Sequence, residues 1–132
     1  MSNDAIRKAL ETRLNAMAPP LPTAWQNVQF TPVPGVPYQR ADLLPGAPEN
    51  PAFGDYYREV GVFQVSLMYP QGAGPGAADA RAKAVREWFS RGTTLIADGI
   101  AVVIQRTPAI AAGYADGDRW RVPISIQYFA SA

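Results

Sequence analysis

The side chains that most often carry enzyme chemistry are partly missing from this chain, because its 132 residues include neither cysteine nor histidine. Disulfides, thiolate nucleophiles, most zinc sites and proton transfer by an imidazole are therefore excluded. Catalysis by carboxylate, lysine, tyrosine or serine remains chemically open, as does a magnesium or calcium site built from oxygen ligands. The residue types alone thus disfavour most enzyme classes.

Two short motifs invite a chemical interpretation. Gly72-x-Gly74-x-Gly76 precedes a predicted helix, where backbone amides can bind phosphate, but the spacing is neither Gly-x-Gly-x-x-Gly nor that of a P-loop. A flexible connector is the simpler interpretation. Asp116-Gly117-Asp118 could offer carboxylates to a hard cation, yet it lacks the further acids of a calcium loop and is more typical of a turn.

Hydrolysis by paired carboxylates needs two acids that face one cleft. The isolated acids of the chain are Asp42, Asp55, Glu59, Glu87 and Asp98. They are far apart in sequence and nothing in their surroundings marks a pair. The sequence therefore predicts no enzyme, no cofactor and no metal.

Composition indicates a single globular domain over residues 1–132. Hydrophobic residues make up 48% of the chain and charged residues 17%, and no apolar run approaches the ~20 residues of a membrane span. The formal net charge of +1 gives no general attraction to nucleic acid, so neither a membrane nor a specific nucleic acid is expected as a partner. The first residues lack the order of a secretory signal, which predicts a cytoplasmic protein.

The N-terminal segment, residues 1–18, is predicted to be an amphipathic helix over residues 3–17. Ile6, Leu10, Leu14 and Met17 recur at helical spacing and fall on one face. The prolines that follow end the helix, because proline lacks an amide donor. A helix packed on a sheet is the expected structure, and a helix seated on a neighbouring subunit is the alternative.

A Pro- and Gly-rich segment follows, over residues 19–54, and is too apolar to be a solvated linker. A first strand is predicted over Val36–Leu44, and an irregular loop over Pro45–Tyr56. Long ordered loops are often functional, so residues 45–54 are either a contact with another chain or a mobile surface loop.

Residues 55–132 are predicted to form strand, helix, strand and strand. Val60–Tyr69 and Trp120–Tyr128 alternate between apolar and polar residues, and Ile100–Ile104 is a candidate central strand. Ala77–Ser90 has helical periodicity, and Gly92 is a plausible end signal. Pro123 indicates an edge or a bulge in the last strand. The predicted fold is α+β, with a mostly antiparallel four-stranded sheet and both helices on one face.

Several loose motifs follow one another along the chain. They run from Ala24-Trp25 through the stretch 37–45, with Tyr-x-Arg-x-x-Leu-Leu-Pro at its core, to Gly61 and the loop at 70–74. Their order resembles the tail terminator family of long-tailed bacteriophages, over roughly residues 24–128. The matching residues, which are typical of fold determinants, are Trp25, Tyr38, Arg40, Leu43, Leu44, Pro45, Gly61, Val65, Pro70 and Gly74.

The resemblance implies a structural role without catalysis. It implies a hexameric ring of identical subunits that caps the completed tail tube, stops its polymerisation and presents the surface that joins the head. The implied partners are other copies of the chain, the tail tube protein and a head-completion protein. Assembly would take place in the host cytoplasm, and the protein would end in the virion tail of a phage or prophage.

Such a ring needs contacts between neighbouring subunits. Arg40 and Asp42 are the candidate polar rim residues of that interface, and Tyr56 and Tyr57 the candidate aromatic anchors. Sheet edges near Val36–Leu44 or Arg119–Tyr128 are predicted to be covered by a neighbouring subunit, because unpaired strand edges promote aggregation.

Two alternatives remain at this stage. One is another neck or tail-tube protein of the same phage structure. The other is a small-molecule-binding α+β module with a pocket between sheet and helices, lined by Trp25, Trp88 and Trp120.

Overall fold

The computed structural model of the chain describes residues 3–54 and 56–131. Within these ranges the chain forms two α-helices, α1 (Asn3–Asn15) and α2 (Gly76–Trp88), and eight β-strands. The strands are β1 (Thr23–Trp25), β2 (Tyr38–Pro45), β3 (Glu59–Pro70), β4 (Thr94–Ala97), β5 (Ile100–Ile104), β6 (Ala109–Ile110), β7 (Tyr114–Asp116) and β8 (Arg119–Ser131). The predicted α+β class is confirmed.

The strands form one curled sheet whose centre is the long strand β8. β3 pairs antiparallel with β8 along its whole length, from Glu59 opposite Ala130 to Pro70 opposite Arg119. The other edge of β8 is shared by β5, β6 and β7, and β4 extends the sheet beyond β5. On the far side of β3 lies β2, followed by β1, which runs parallel to β2.

The prediction of a four-stranded sheet is wrong in strand number. The four predicted strands correspond to β2, β3, β5 and β8, although their bounds differ by up to three residues. The missed strands β1, β4, β6 and β7 have only two to four residues each. Such short segments contain too few alternations for a period of two to be recognised, so only their pairing with distant residues defines them.

Both helices pack on one face of the sheet and enclose the hydrophobic core. Ile6, Leu10 and Leu14 of α1 are buried on the predicted helical face, and Val85 is buried on α2. They share one cluster with inward-facing strand residues, namely Ala41, Leu43, Phe63, Val65, Leu67, Val102, Ile104, Val122, Ile124, Ile126 and Tyr128. Each large apolar side chain buried here contributes about 2 kcal/mol, which makes this layer the main stabilising element of the fold.

The opposite face of the sheet is covered only at one end. There the proline-rich segment, residues 26–37, folds back so that the rings of Phe30 and Tyr38 lie 5.0 Å apart. The buried guanidinium of Arg119 holds the segment, because its Nη1 donates to the Val36 carbonyl at 2.5 Å and its Nη2 to the Val33 carbonyl at 2.8 Å. The segment is therefore part of the folded body, as its apolar content predicted.

Pro123 does not lie in an edge strand, the first predicted alternative, but it adjoins a one-residue shift in register, in line with the second: Ile110 is opposite Ile124, whereas Tyr114 is opposite Arg121. Pro123 is opposite Ser66 in the uninterrupted β3–β8 register. Its carbonyl accepts the Ala111 amide at 2.9 Å on the other side of β8, in the break between β6 and β7. A strand residue directs its nitrogen and carbonyl to the same side, so the missing amide hydrogen of Pro123 also faces this break, and the long ladder is unaffected.

The prediction that a neighbouring subunit covers an edge at Arg119–Tyr128 is wrong, because β8 is paired on both sides. At the other predicted edge, β1 pairs with Gln39–Ala41, and the Gln26 side chain accepts the Leu43 amide at 2.8 Å. The strand at the opposite end of the sheet is β4, whose only pairing among the described strands is with β5. In the part of the chain that is described, no helix is long and apolar enough to cross a membrane.

Candidate assembly surface

The sheet face turned away from the helices is the candidate functional surface, and is here called the outer face. Ala41 and Leu43 of β2 point into the core. Alternation along the strand therefore directs Arg40, Asp42 and Leu44 to the outer face. Arg40 and Leu44 are exposed and Asp42 is half-buried, so both predicted polar interface residues lie side by side on an open surface.

The centre of the outer face is polar. Asp42 is opposite Gln64 of β3, which is itself opposite Ser125 of β8, so the three residues form a row across the sheet. In the neighbouring row, Arg40 is opposite Ser66, whose hydroxyl accepts a hydrogen bond from Arg121 Nη2 at 3.2 Å. These rows provide donors and acceptors on a flat surface, which suits recognition of another protein.

Arg40 and Asp42 have no side-chain partners within residues 3–54 and 56–131. By contrast, Arg121 forms an ion pair with Asp116 at 3.0 Å at the edge of the same face. The two unpaired charges stand two residues apart on one strand, so a partner surface with charges of opposite sign can pair with both. No second carboxylate faces Asp42 in its row, since Gln64 and Ser125 occupy the positions across from it.

The end of the outer face nearest the β2–β3 connection is apolar. Leu44 is 47% exposed and is opposite the half-buried Val62 of β3. Nearby, the guanidinium carbon of Arg58 lies 5.1 Å from the centre of the Phe129 ring on β8. This cation–π contact fixes the end of the β2–β3 connection against the sheet. The outer face thus combines an apolar end with a charged centre, as protein interfaces commonly do.

The β2–β3 loop, residues 46–58, leaves the sheet at this apolar end. Its neck is closed by two backbone hydrogen bonds of 2.9 Å between Glu49 and Arg58 and by a 3.0 Å ion pair of their side chains. Tyr56 is 51% exposed and Tyr57 is 38% exposed. The structure thus places both predicted aromatic anchors at the surface, on the same connection and next to the outer face.

Two exposed apolar residues were not singled out from the sequence. Phe53 is fully exposed in the β2–β3 loop, and Ile96 is 73% exposed on β4. A phenylalanine between the breakers Pro51 and Gly54 was an available signal, because a turn-forming stretch gives such a ring little of its own chain to pack on. Ile96 gave no such signal, since its exposure depends on β4 being an edge strand.

The two chemical motifs both lie in turns. Gly72 and Gly74 have positive φ angles of 87° and 81° in the β3–α2 connection, a backbone geometry that favours glycine. Asp116 and Asp118 flank the tight β7–β8 turn, and Asp116 is engaged by Arg121. Within the described residues, no three acidic, histidine or cysteine side chains are grouped as metal ligands. Asp55, one of the isolated acids, lies outside the described residues.

The structure does not bring the three tryptophans together in one pocket. Trp120 lines a cleft of about 410 Å³ with Pro70, Gln71 and Pro75 at the end of the sheet. Trp88 instead packs on Arg13 at the ends of the two helices. The predicted ligand pocket lined by all three residues is therefore wrong.

The shifted ionisable groups belong to the helix side of the molecule and its end loops. Burial lowers the pKa of Arg81, whose Nη1 donates to the Pro19 carbonyl at 2.6 Å, and burial raises the pKa of Tyr69. Burial also raises the pKa of Tyr128, in the core, to about 12. These groups stabilise connections within the fold, and none of them adjoins the unpaired charges Arg40 and Asp42.

Known proteins resemble this chain in sequence and in fold. The family model described as phage tail terminator protein matches residues 5–128. A solved protein structure is similar over 100% of this chain and 97% of its own, with a TM-score of 0.82 and 34% sequence identity. No curated protein sequence matches the chain. Since the family model spans both helices and nearly all of the sheet, the chain belongs to the phage tail terminator protein family.

Proposed function

We propose that the protein caps the completed phage tail tube as a hexameric ring, ends tube polymerisation and forms the surface to which the head is joined. The observation that carries this proposal is the family match over residues 5–128. It is supported by the open outer face, where Arg40 and Asp42 have no side-chain partners among the described residues. The role needs no catalysis, cofactor or metal, because capping is an association between surfaces.

A cap of this kind needs a rigid body and contacts that close on themselves. The continuous β3–β8 ladder and the helix layer provide rigidity. A ring requires a heterologous contact, in which two different surfaces of the same subunit meet in neighbouring copies. In the proposed ring, Arg40 and Asp42 form the polar rim of such a contact, and Tyr56 and Tyr57 supply the aromatic area that is typical of interface hot spots.

The proposed partners are other copies of the chain, the tail tube protein and a head-completion protein. The protein assembles in the host cytoplasm and remains in the virion tail. The open, flat outer face supports association with proteins, whereas the formal net charge of +1 offers no strong attraction to nucleic acid.

The decisive experiment is electron microscopy of particles produced after the gene has been deleted from the phage or prophage that encodes it. Overlong tails, with or without heads, that are restored to normal by supplying the protein in trans are the expected result. Headless tails of normal length would identify another neck role, and normal particles would refute a tail-completion role. In the latter case, a search for metabolites that raise the melting temperature tests the small-molecule alternative.

A further inference from the structure

The β2–β3 loop is an ordered projection with an apolar tip. The Glu49–Arg58 bridge closes its neck, and Asn50 Nδ2 donates to the Tyr56 carbonyl at 3.3 Å across the base of the tip. Beyond these contacts the Phe53 ring is fully exposed. A phenylalanine side chain can bury about 150–250 Å² when it is covered, so leaving it in water on a braced loop is unfavourable unless a partner covers it.

A groove of about 600 Å³ lies between α1 and β4. Its apolar lining includes Ala9 of α1, Ala16 directly after the helix and Leu95 of β4, and Ile96 is exposed at its edge. β4 pairs with β5 on one side, and among the described strands none pairs with its other side. Small residues on the helix side and a free strand edge suit an extended, aromatic-bearing segment.

The loop and the groove have charges of opposite sign. The β2–β3 loop contains the acids Glu49 and Asp55 and one base, Arg58, which pairs with Glu49, so the loop has a net charge of −1. The groove is lined by Lys8 and Arg13 against the single acid Asp98. Charge complementarity therefore favours approach of this loop to this groove.

The loop and the groove belong to different ends of one sheet. The loop joins β2 to β3, and the strand order β2, β3, β8, β5, β4 places the groove three to four strand spacings away, at about 14–19 Å along the sheet for ~4.8 Å per spacing. Two complementary features that are separated in one subunit can meet between copies. Repetition of that head-to-tail contact generates a ring when the rotation closes.

We propose that the β2–β3 loop of one subunit seats in the α1–β4 groove of the next, with Phe53 as its anchor. This inference rests on the proposed ring and names the contact that closes it. In this contact the Phe53 side chain lies against Ala9 and Ala16, and the loop backbone follows the free edge of β4. Tyr56 and Tyr57 flank the bound Phe53 side chain.

The test uses cysteine cross-linking. Any disulfide that forms must involve the introduced residues, because the chain has no cysteine of its own. Ala52→Cys and Thr94→Cys are combined in one chain, which keeps Phe53 intact and places one thiol on each proposed partner surface. Mild oxidation of concentrated purified protein should give a ladder of disulfide-linked oligomers at least about tenfold faster than the matched pair Ala52→Cys and Val28→Cys, because seated thiols have a high effective concentration. Val28 is also exposed but lies outside the groove.

Phe53→Ser in the cross-linking chain supplies the specific readout. Because Phe53 is fully exposed, the variant should keep its melting temperature and lose the ladder. Equal cross-linking rates for the groove pair and the control pair, or a ladder that survives Phe53→Ser, would overturn the inference.

The same cross-linking chain, supplied to the deletion strain, separates this inference from the proposed function. If that strain makes normal tails, and if the protein in those tails forms no disulfide-linked oligomers on oxidation, the capping function is retained and the loop-in-groove contact is rejected. A ladder from purified protein, combined with normal tails in the deletion strain that receives no supplied protein, would support the contact between copies and reject capping.

Discussion

Arg13 and Trp88 exchange hydrogen bonds in both directions and thereby join the C-terminal ends of the two helices. Arg13 Nη2 donates to the Trp88 carbonyl at 2.8 Å, and Trp88 Nε1 donates to the Arg13 carbonyl at 2.7 Å. The guanidinium carbon also lies 3.9 Å from the centre of the Trp88 ring. Carbonyls in the last turn of a helix lack intrahelical partners, so each residue satisfies an acceptor on the other helix.

We predict that this pair couples the two helices energetically. Arg13→Met should lower the free energy of unfolding by about 1–3 kcal/mol, since it removes the donor to the Trp88 carbonyl. Trp88→Phe should lower it by about 1 kcal/mol, because the Arg13 carbonyl still accepts the Ala16 amide at 3.2 Å. The double variant should lose less than the sum, by about 1 kcal/mol, because both single changes break the same contacts. Urea unfolding of the four proteins measures the coupling.

Arg91→Met is the matched control for the arginine change. Arg91 is exposed, so its replacement should alter stability by no more than about 0.5 kcal/mol. Strict additivity of Arg13→Met and Trp88→Phe would show that the reciprocal contacts contribute nothing jointly.

A second prediction concerns the proline-rich segment, which depends on one buried arginine. Arg119 is 4% exposed and donates to the carbonyls of Val33 and Val36. Arg119→Met should release the segment and lower the free energy of unfolding by about 2–3 kcal/mol, because bonds from a charged donor are lost. Hydrogen exchange should speed up at residues 28–37 before it does elsewhere. Arg119→Lys should not restore protection, since an ammonium cannot reach two carbonyls with a planar fork.

Arg121→Met serves as the control, because Arg121 also lies on β8 but pairs with Asp116 and Ser66 outside the proline-rich segment. It should leave exchange at residues 28–37 unchanged. If Arg119→Met also leaves that exchange unchanged, the segment is held by its apolar contacts alone.

The long elements were predictable from sequence because their side chains repeat. The apolar spacing in α1 and the alternation in β3 locate the observed elements to within about two residues. The parallel pairing of β1 and the position of β4 at the sheet edge were not predictable, since both depend on residues far away in sequence. The edge alternative for Pro123 was wrong for the same reason, since only the irregular pairing between β6 and β7 makes its missing amide harmless in a central strand.

The candidate surface was predictable only in part. Arg40 and Asp42 were selected from a strand motif, and strand alternation then places them on one face. Phe53 was predictable from the breakers on both sides of it, whereas the exposure of Ile96 depends on β4 being an edge strand. A polar strand position can be read from sequence periodicity, whereas an uncovered apolar residue in a strand cannot.

A third prediction concerns alkaline pH and Tyr128. Burial, and then the negative charge of Glu59, raise the pKa of this phenol to about 12, against a small opposing effect of Arg7. The unfolded chain ionises near 10, so it releases its proton first. The contribution of Tyr128 to stability is therefore complete below pH 10 and is lost as the pH rises towards 12, by up to about 2–3 kcal/mol.

Tyr128→Phe should abolish this part of the alkaline loss. The Tyr128 hydroxyl is buried without a hydrogen-bond partner among the described residues, so its removal should also leave stability at pH 7 within about 1 kcal/mol. Urea unfolding of wild type and variant between pH 8 and 11.5 measures the difference, with the exposed Tyr114→Phe as control. Parallel curves for wild type and Tyr128→Phe would exclude Tyr128 as the titrating group.

The last prediction tests the charged centre of the outer face. Arg40→Glu and Asp42→Lys each reverse a charge that has no side-chain partner in the described part of the chain, so the melting temperature should change by no more than about 3 °C. Assembly should weaken, because a reversed charge meets a like charge on the partner surface. Supplied to the deletion strain, each variant should yield overlong or headless tails. Lys83→Glu, an exposed change on α2, is the control and should restore normal tails. Since both strand variants keep their fold, normal tails from either one would remove that residue from the interface and leave the β2–β3 loop as the remaining candidate contact.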